Sequence, residues 1–204
     1  MSVLKIPFRG VPGMNDQDGI FRQAVWTLKA SRNFILLAVA VYCGAAVAGW
    51  IFAGDLTFIR LQFEELARRF EGLGPLAFVA RIFVHNLAAS YLAMCFIALW
   101  GIIPFFMAAF NGILLGWFAG WMQGITWTQM LFFLVPHGMF EWPAMFMAFG
   151  VGMWRGMGGF FSPHGVSRIQ RWKRANYAYF VFVVPLLFVA AIIEGRYHFI
   201  EAFL

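Results

Sequence analysis

Residues 132–146 read FFLVPHGMFEWPAMF, an apolar run interrupted by an imidazole, a carboxyl, a glycine and two prolines. His137 and Glu141 are four residues apart, so on a regular helix they share a face. A charge at the centre of a bilayer costs about 2.5–3.5 kcal/mol or more, and ionisable groups kept there are functional candidates by default. Three chemistries fit such a pair: a proton or ion relay, a substrate contact, or a polar clasp that fixes helix register. One imidazole and one carboxylate fall short of the ligand set of a protein zinc site, so no metal is expected. No Ser or Cys nucleophile stands in a matching motif, so neither an enzyme nor a cofactor is expected.

The elements that must hold this pair are membrane helices. Of 204 residues, 62% are hydrophobic and 12% charged, against about 45–50% and 25% in soluble domains. This composition belongs to an all-α polytopic membrane protein, and the 26 phenylalanines and 9 tryptophans suit lipid-facing and interfacial positions. With no soluble domain to present a basic face, the net charge of +6 does not indicate nucleic-acid binding. Cys43 and Cys95 fall in apolar segments and read as embedded thiols rather than a disulfide. No cleavable signal peptide is expected, because the first 32 residues are polar and basic and the first apolar run is too long.

A span needs about 20 mostly apolar residues. The sequence predicts five, at 34–53, 82–100, 104–123, 128–154 and 177–193, after a cytoplasmic segment 1–32. All five belong to one transmembrane domain, 33–204. Between the first two lies LTFIRLQFEELARRFEG, where Leu56, Ile59, Phe63, Leu66 and Phe70 recur at three- and four-residue spacing among charges. That pattern predicts an amphipathic helix over 56–72, at the membrane surface or against the bundle. Pro136 and Pro143 lack amide hydrogens, which would free the carbonyls of Phe132 and Met139 and break the helix around 136–143.

Charge orients the spans. Lys5, Arg9, Arg22, Lys29 and Arg32 precede the first, and Arg155, Arg168, Arg171, Lys173 and Arg174 separate the fourth from the fifth. The loop after the first span balances Arg60, Arg68, Arg69 and Arg81 against Asp55, Glu64, Glu65 and Glu71. The positive-inside rule then puts the N-terminus in the cytoplasm and the C-terminus outside. Arg168, Arg171, Lys173 and Arg174 surround Trp172 and read as anionic headgroup contacts. A second Pro-His-Gly at 163–165 has no similar flanks, and His164 reads as a solvated loop residue.

Small residues recur every fourth position at Ala108, Gly112, Gly116 and Gly120, and again at Ala144, Ala148 and Gly152. Such ribs let helix backbones approach closely in lipid, against a neighbouring helix or a second copy. If the two segments formed an antiparallel hairpin turning near Thr126, Asn111 would lie level with Glu141, and rib would face rib. A second polar cluster is expected of His85, Asn86 and Glu194, and joined to Glu141 and His137 it would make a polar path opening outward.

The run VPHGMFEWPAMFMAFGVG resembles the signature of the stage II sporulation protein M family, as does AAFNGILLGWFAG through Asn111, Gly112 and Gly116. Asn86 matches one of the family's paired asparagines, with His85 in place of the other, and VPLLFVAAIIEG resembles its last helix through Pro185, Ala190, Ala191 and Glu194. The resemblance implies a five-span protein of the bacterial or archaeal envelope, acting in spore formers with a peptidoglycan-degrading pair. It implies importance for Asn86, Asn111, His137, Glu141 and Glu194, but no reaction. The expected role is a membrane scaffold or accessory subunit, itself a homodimer, that contacts lipid and envelope enzymes or transporter subunits. The alternative is a homodimeric transporter or channel using Asn111, His137 and Glu141.

Overall fold

The computed structural model describes residues 18–68, 70, 72–96, 98–121, 126–161 and 166–203. Lys5, Arg9, Arg69, Glu71, the break expected at 123–125 and His164 lie outside the described residues. Every described element is a helix, in the order α1 (Ile20–Ile51), α2 (Thr57–Arg68), α3 (Pro75–Cys95), α4 (Ala98–Trp121), α5 (Trp127–Phe161), α6 (Arg168–Ala178), a π-helical turn (Tyr179–Val183) and α7 (Val184–Phe203). Among the described residues four helical stretches are long and apolar enough to cross a membrane: Ile20–Ile51, Pro75–Cys95, Trp100–Trp121 and the continuous Arg168–Arg196. The all-α membrane bundle is as the sequence predicts. α5 is the longest element, 35 residues or about 52 Å at helical rise, and its polar insertions set it apart from those four.

Three boundaries differ from the predicted ones for physical reasons. α1 begins at Ile20 rather than Phe34 because Gln23, Ala24, Thr27 and Ser31 make a small, polar face that is buried. The Thr27 hydroxyl donates to the Gln23 carbonyl at 2.8 Å and Ser31 to Thr27 at 2.8 Å, so these side chains satisfy themselves along the helix. α3 starts at Pro75, at the first turn where its missing amide costs nothing, and runs through Arg81, whose side chain is exposed. The basic segment 168–176 is helical rather than a loop, because Ser167 and Gln170 form a reciprocal capping box.

α5 sits at the centre, packed on α1, α3, α4, α6 and α7. Its Ala144, Ala148, Phe149 and Met153 are buried with Phe34, Met94 and Tyr179 from its neighbours. Where α4 begins, Gly101 (φ +82°) crosses the end of α5, and the Cα of Gly156 would stand 3.1 Å from any Cβ at 101. The left-handed backbone favours glycine there, and the space for a side chain is tight.

The small-residue ribs do not face each other. Gly112 and Gly116 lie against the α1 backbone at Tyr42 and Ala46, and a Cβ at 120 would meet the Ala53 methyl at 2.7 Å. Gly49 of α1 returns the contact to Ile113. On α5, Gly152 faces Pro104 of α4 and the Ala93 carbonyl of α3 instead. The predicted α4–α5 rib pairing is therefore replaced by α4 on α1. α1 carries its own small residues at Ala45 and Ala46, which meet Gly112 and Gly116 of α4, and at Gly49, which meets Ile113.

The last two helices join through a π turn, in which the Val184 amide donates to the Tyr179 carbonyl five residues back. Pro185 follows at once, and a proline there would crowd the carbonyl four residues earlier, so the wider turn accommodates its ring. Tyr179 is pinned at this point, donating to the Leu87 carbonyl at 2.7 Å and pairing with the Ser90 hydroxyl at 2.9 Å.

Candidate functional site

α5 stays helical through both prolines, so the break predicted over 136–143 is absent and His137 and Glu141 keep their common face. The carbonyl that Pro136 leaves without a helical donor is that of Phe132, and it has another partner. Arg196 Nη2 donates to it at 3.1 Å, with its guanidinium 5.6 Å from the centroid of the Phe132 ring. The same side chain donates to Ile193 at 3.3 Å. A basic residue from α7 thus repairs the proline gap in α5, which is one reason the helix does not unwind.

Glu194, two residues before Arg196, comes to the same seam. His137, Glu141 and Glu194 are half-buried, and one donor atom from each lies within 4.8 Å of the others. α5 supplies two of the three groups, and α7 packs against it to supply the third. Tyr42 of α1 is buried against Phe146, ring centroids 5.1 Å apart, within electrostatic reach of Glu141. The site therefore has an apolar wall on one side and converging ionisable groups on the other.

The remaining predicted residues fall out differently. Asn111 donates its amide to the Met107 carbonyl at 2.8 Å, within its own helix, instead of meeting Glu141. With the ribs turned toward α1, the depth match from the hairpin picture no longer aims Asn111 at α5. His85 is exposed on α3, and the Asn86 carbonyl accepts from Ser90 at 2.6 Å, while Glu194 stands with His137 and Glu141. Of the outward path, the portion formed by Glu194, Glu141 and His137 is present.

The basic helix α6 divides. Arg168 and Lys173 are exposed, as headgroup contact requires. Arg171 and Arg174 are buried, 8% and 3% exposed, which overturns their reading as headgroup contacts. Helical periodicity turns 171, 174 and 175 inward together. Arg174 stacks over Trp26 of α1 at 4.8 Å, and its carbonyl accepts from Thr27 at 3.3 Å, while Arg171 donates to the Val166 carbonyl at 3.2 Å. Arg155, at the same end of the bundle, donates to the Met94 carbonyl at 2.6 Å and lies 4.3 Å over Trp172.

Sequence reading missed Arg196 and the Trp26–Arg174 stack. The signals were there: Pro136 demanded a donor, and Ser-x-x-Gln at 167–170 announced a helix that would turn Arg174 inward. No curated protein and no solved structure matches the chain. The family model described as stage II sporulation protein M matches residues 38–197, a region that takes in α3, α4 and α5 and every residue of the His137–Glu141–Glu194 cluster. On that match, which covers most of an all-α membrane bundle, the chain belongs to the stage II sporulation protein M family.

Proposed function

We propose that this protein is a scaffold or accessory subunit of a cell-envelope complex in the cytoplasmic membrane, binding partner proteins rather than catalysing a reaction. Its N-terminus and the start of α6 face the cytoplasm, its C-terminus faces outward, and α5 counts as a fifth span. The observation that carries this reading is the use of the small-residue ribs. Gly112 and Gly116 are spent on α1 and Gly152 on α3 and α4, so the surfaces best suited to close helix association are consumed within one copy. A homodimer built through those ribs loses its interface. Apolar groups remain outward for partners and lipid, including Phe58 and Leu61 on α2, a helix tied to α4 by Arg60 5.5 Å over Trp121.

Gentle purification of the tagged protein from native membranes tests the proposal through complex mass and co-purifying chains. Stoichiometric envelope enzymes or transporter subunits are expected. A clean homodimer with nothing attached would sink the scaffold and favour the second reading, a homodimeric transporter or channel. The convergence of His137, Glu141 and Glu194 supports that alternative. Flux in proteoliposomes that is lost in Glu141→Gln would establish it.

A further inference from the structure

We propose that His137, Glu141 and Glu194 form a binding site for one divalent transition-metal cation, which clamps α5 to α7. The proposal stands whether the protein recruits partners or passes a solute. Three observations lead to it.

The first is ligand count. The sequence alone offered one imidazole and one carboxylate, too few for a metal; the fold adds a second carboxylate and brings the set to three. Spacing of i and i+4 on one unbroken helix is a recurring way to aim two ligands at one ion, with the third delivered from a neighbouring helix. Donor atoms bound tetrahedrally at about 2.0–2.2 Å stand about 3.4 Å apart. From separations within 4.8 Å, each donor needs to close by at most about 0.8 Å, a shift on the scale of side-chain torsions.

The second is charge. Two carboxylates this close in a poorly polarisable setting repel each other unless a proton or a cation lies between them. Two carboxylates, a neutral imidazole and a dication sum to zero, a balance that avoids net charge within a membrane domain. A monovalent ion leaves the site negative.

The third is ligand type. Magnesium and calcium take all-oxygen shells, whereas a nitrogen donor beside two carboxylates suits zinc, manganese or iron. A water molecule would supply the fourth ligand. Arg196, two residues from Glu194, donates to the Phe132 and Ile193 carbonyls beside the site.

The test uses the full chain, purified in detergent with a tag free of histidine and stripped with chelator. Zn2+ binding is then followed by competition against a chromophoric chelator, and Co2+ binding by its visible spectrum. One Zn2+ per chain is expected. His137→Ala, Glu141→Gln and Glu194→Gln should each weaken binding by more than about 100-fold, beyond the loss of an outer-shell partner. Glu64→Gln, on the exposed Arg60–Glu64 pair, should leave it unchanged. Helical circular dichroism and monodisperse elution establish folding for each. If a variant fails to fold, the wild-type Co2+ spectrum decides: bands of nitrogen and oxygen ligation support the site, and a thiolate charge-transfer band, placing the ion at Cys43 or Cys95, overturns it. Folded wild type that binds neither ion, or folded variants that all bind as wild type does, overturns it equally.

Discussion

Arg196 of α7 donates to the carbonyl of Phe132 in α5 at 3.1 Å, the carbonyl that Pro136 deprives of its helical amide. Two helices are thereby joined at the point where one of them is weakest. Replacing Arg196 by Ala leaves that carbonyl without its donor and should destabilise the protein by about 1 kcal/mol. Unfolding titrations in mixed micelles would register this. An unchanged midpoint would mean that water serves the carbonyl as well.

Gly116 and Gly44 make opposite predictions for the same substitution. A methyl at 116 overlaps the Ala46 carbonyl, whereas one at 44 meets open space. Gly116→Ala should cost about 1–3 kcal/mol as α1 and α4 are forced apart. Gly44→Ala should gain up to about 1 kcal/mol through helix propensity. Parallel unfolding curves for the two variants give the answer, and equal signs would refute the α1–α4 contact.

Neighbouring basic residues on α6 separate in the same manner. Arg174, 3% exposed and stacked on Trp26, should be worth about 2 kcal/mol of stability, and its loss to Ala should shift tryptophan emission. Arg174→Lys should not restore the stack, because an ammonium lacks the planar face. Lys173→Ala should leave stability alone and weaken contact with anionic lipid by about 1 kcal/mol. Native mass spectrometry with anionic lipid reads the second effect.

Ser167 caps α6 by accepting from the Gln170 amide at 3.2 Å. Ser167→Ala should cost about 1 kcal/mol. Hydrogen exchange should quicken at amides 168–171 while α5 keeps its protection, and uniform loosening would argue that the cap sets more than one helix end.

The fold class was legible because membrane composition leaves little choice: apolar runs of span length must be helices. The site was half legible. His137 and Glu141 declared themselves by type and spacing, and Glu194 by its place in the last helix. Asn111 was misjudged because a rib of small residues reports that a backbone comes close, but not whose. Gly112 and Gly116 fit α1 as well as they would α5, and only the three-dimensional packing chooses. Arg171 and Arg174 were misjudged because a charge cluster looks alike on a loop and on a helix. Once Ser167 starts a helix, two of the four basic residues must turn inward.

The π turn at 179–183 has a consequence for everything that follows it. One such turn amounts to a single extra residue threaded into the helix, and each residue corresponds to about 100° of rotation. Tyr179, at the start of the turn, is held to α3 through Leu87 and Ser90, and α7 beyond the turn packs on both α3 and α5. Glu194 points at His137 and Glu141 by virtue of that count. Winding the same residues as an unbroken α-helix would keep the composition, the length and the apolar character of the segment. It would also swing the carboxylate about a quarter turn away, to where Gly195 now points. The aim of the last helix is written as an insertion, a kind of information that no single side chain carries.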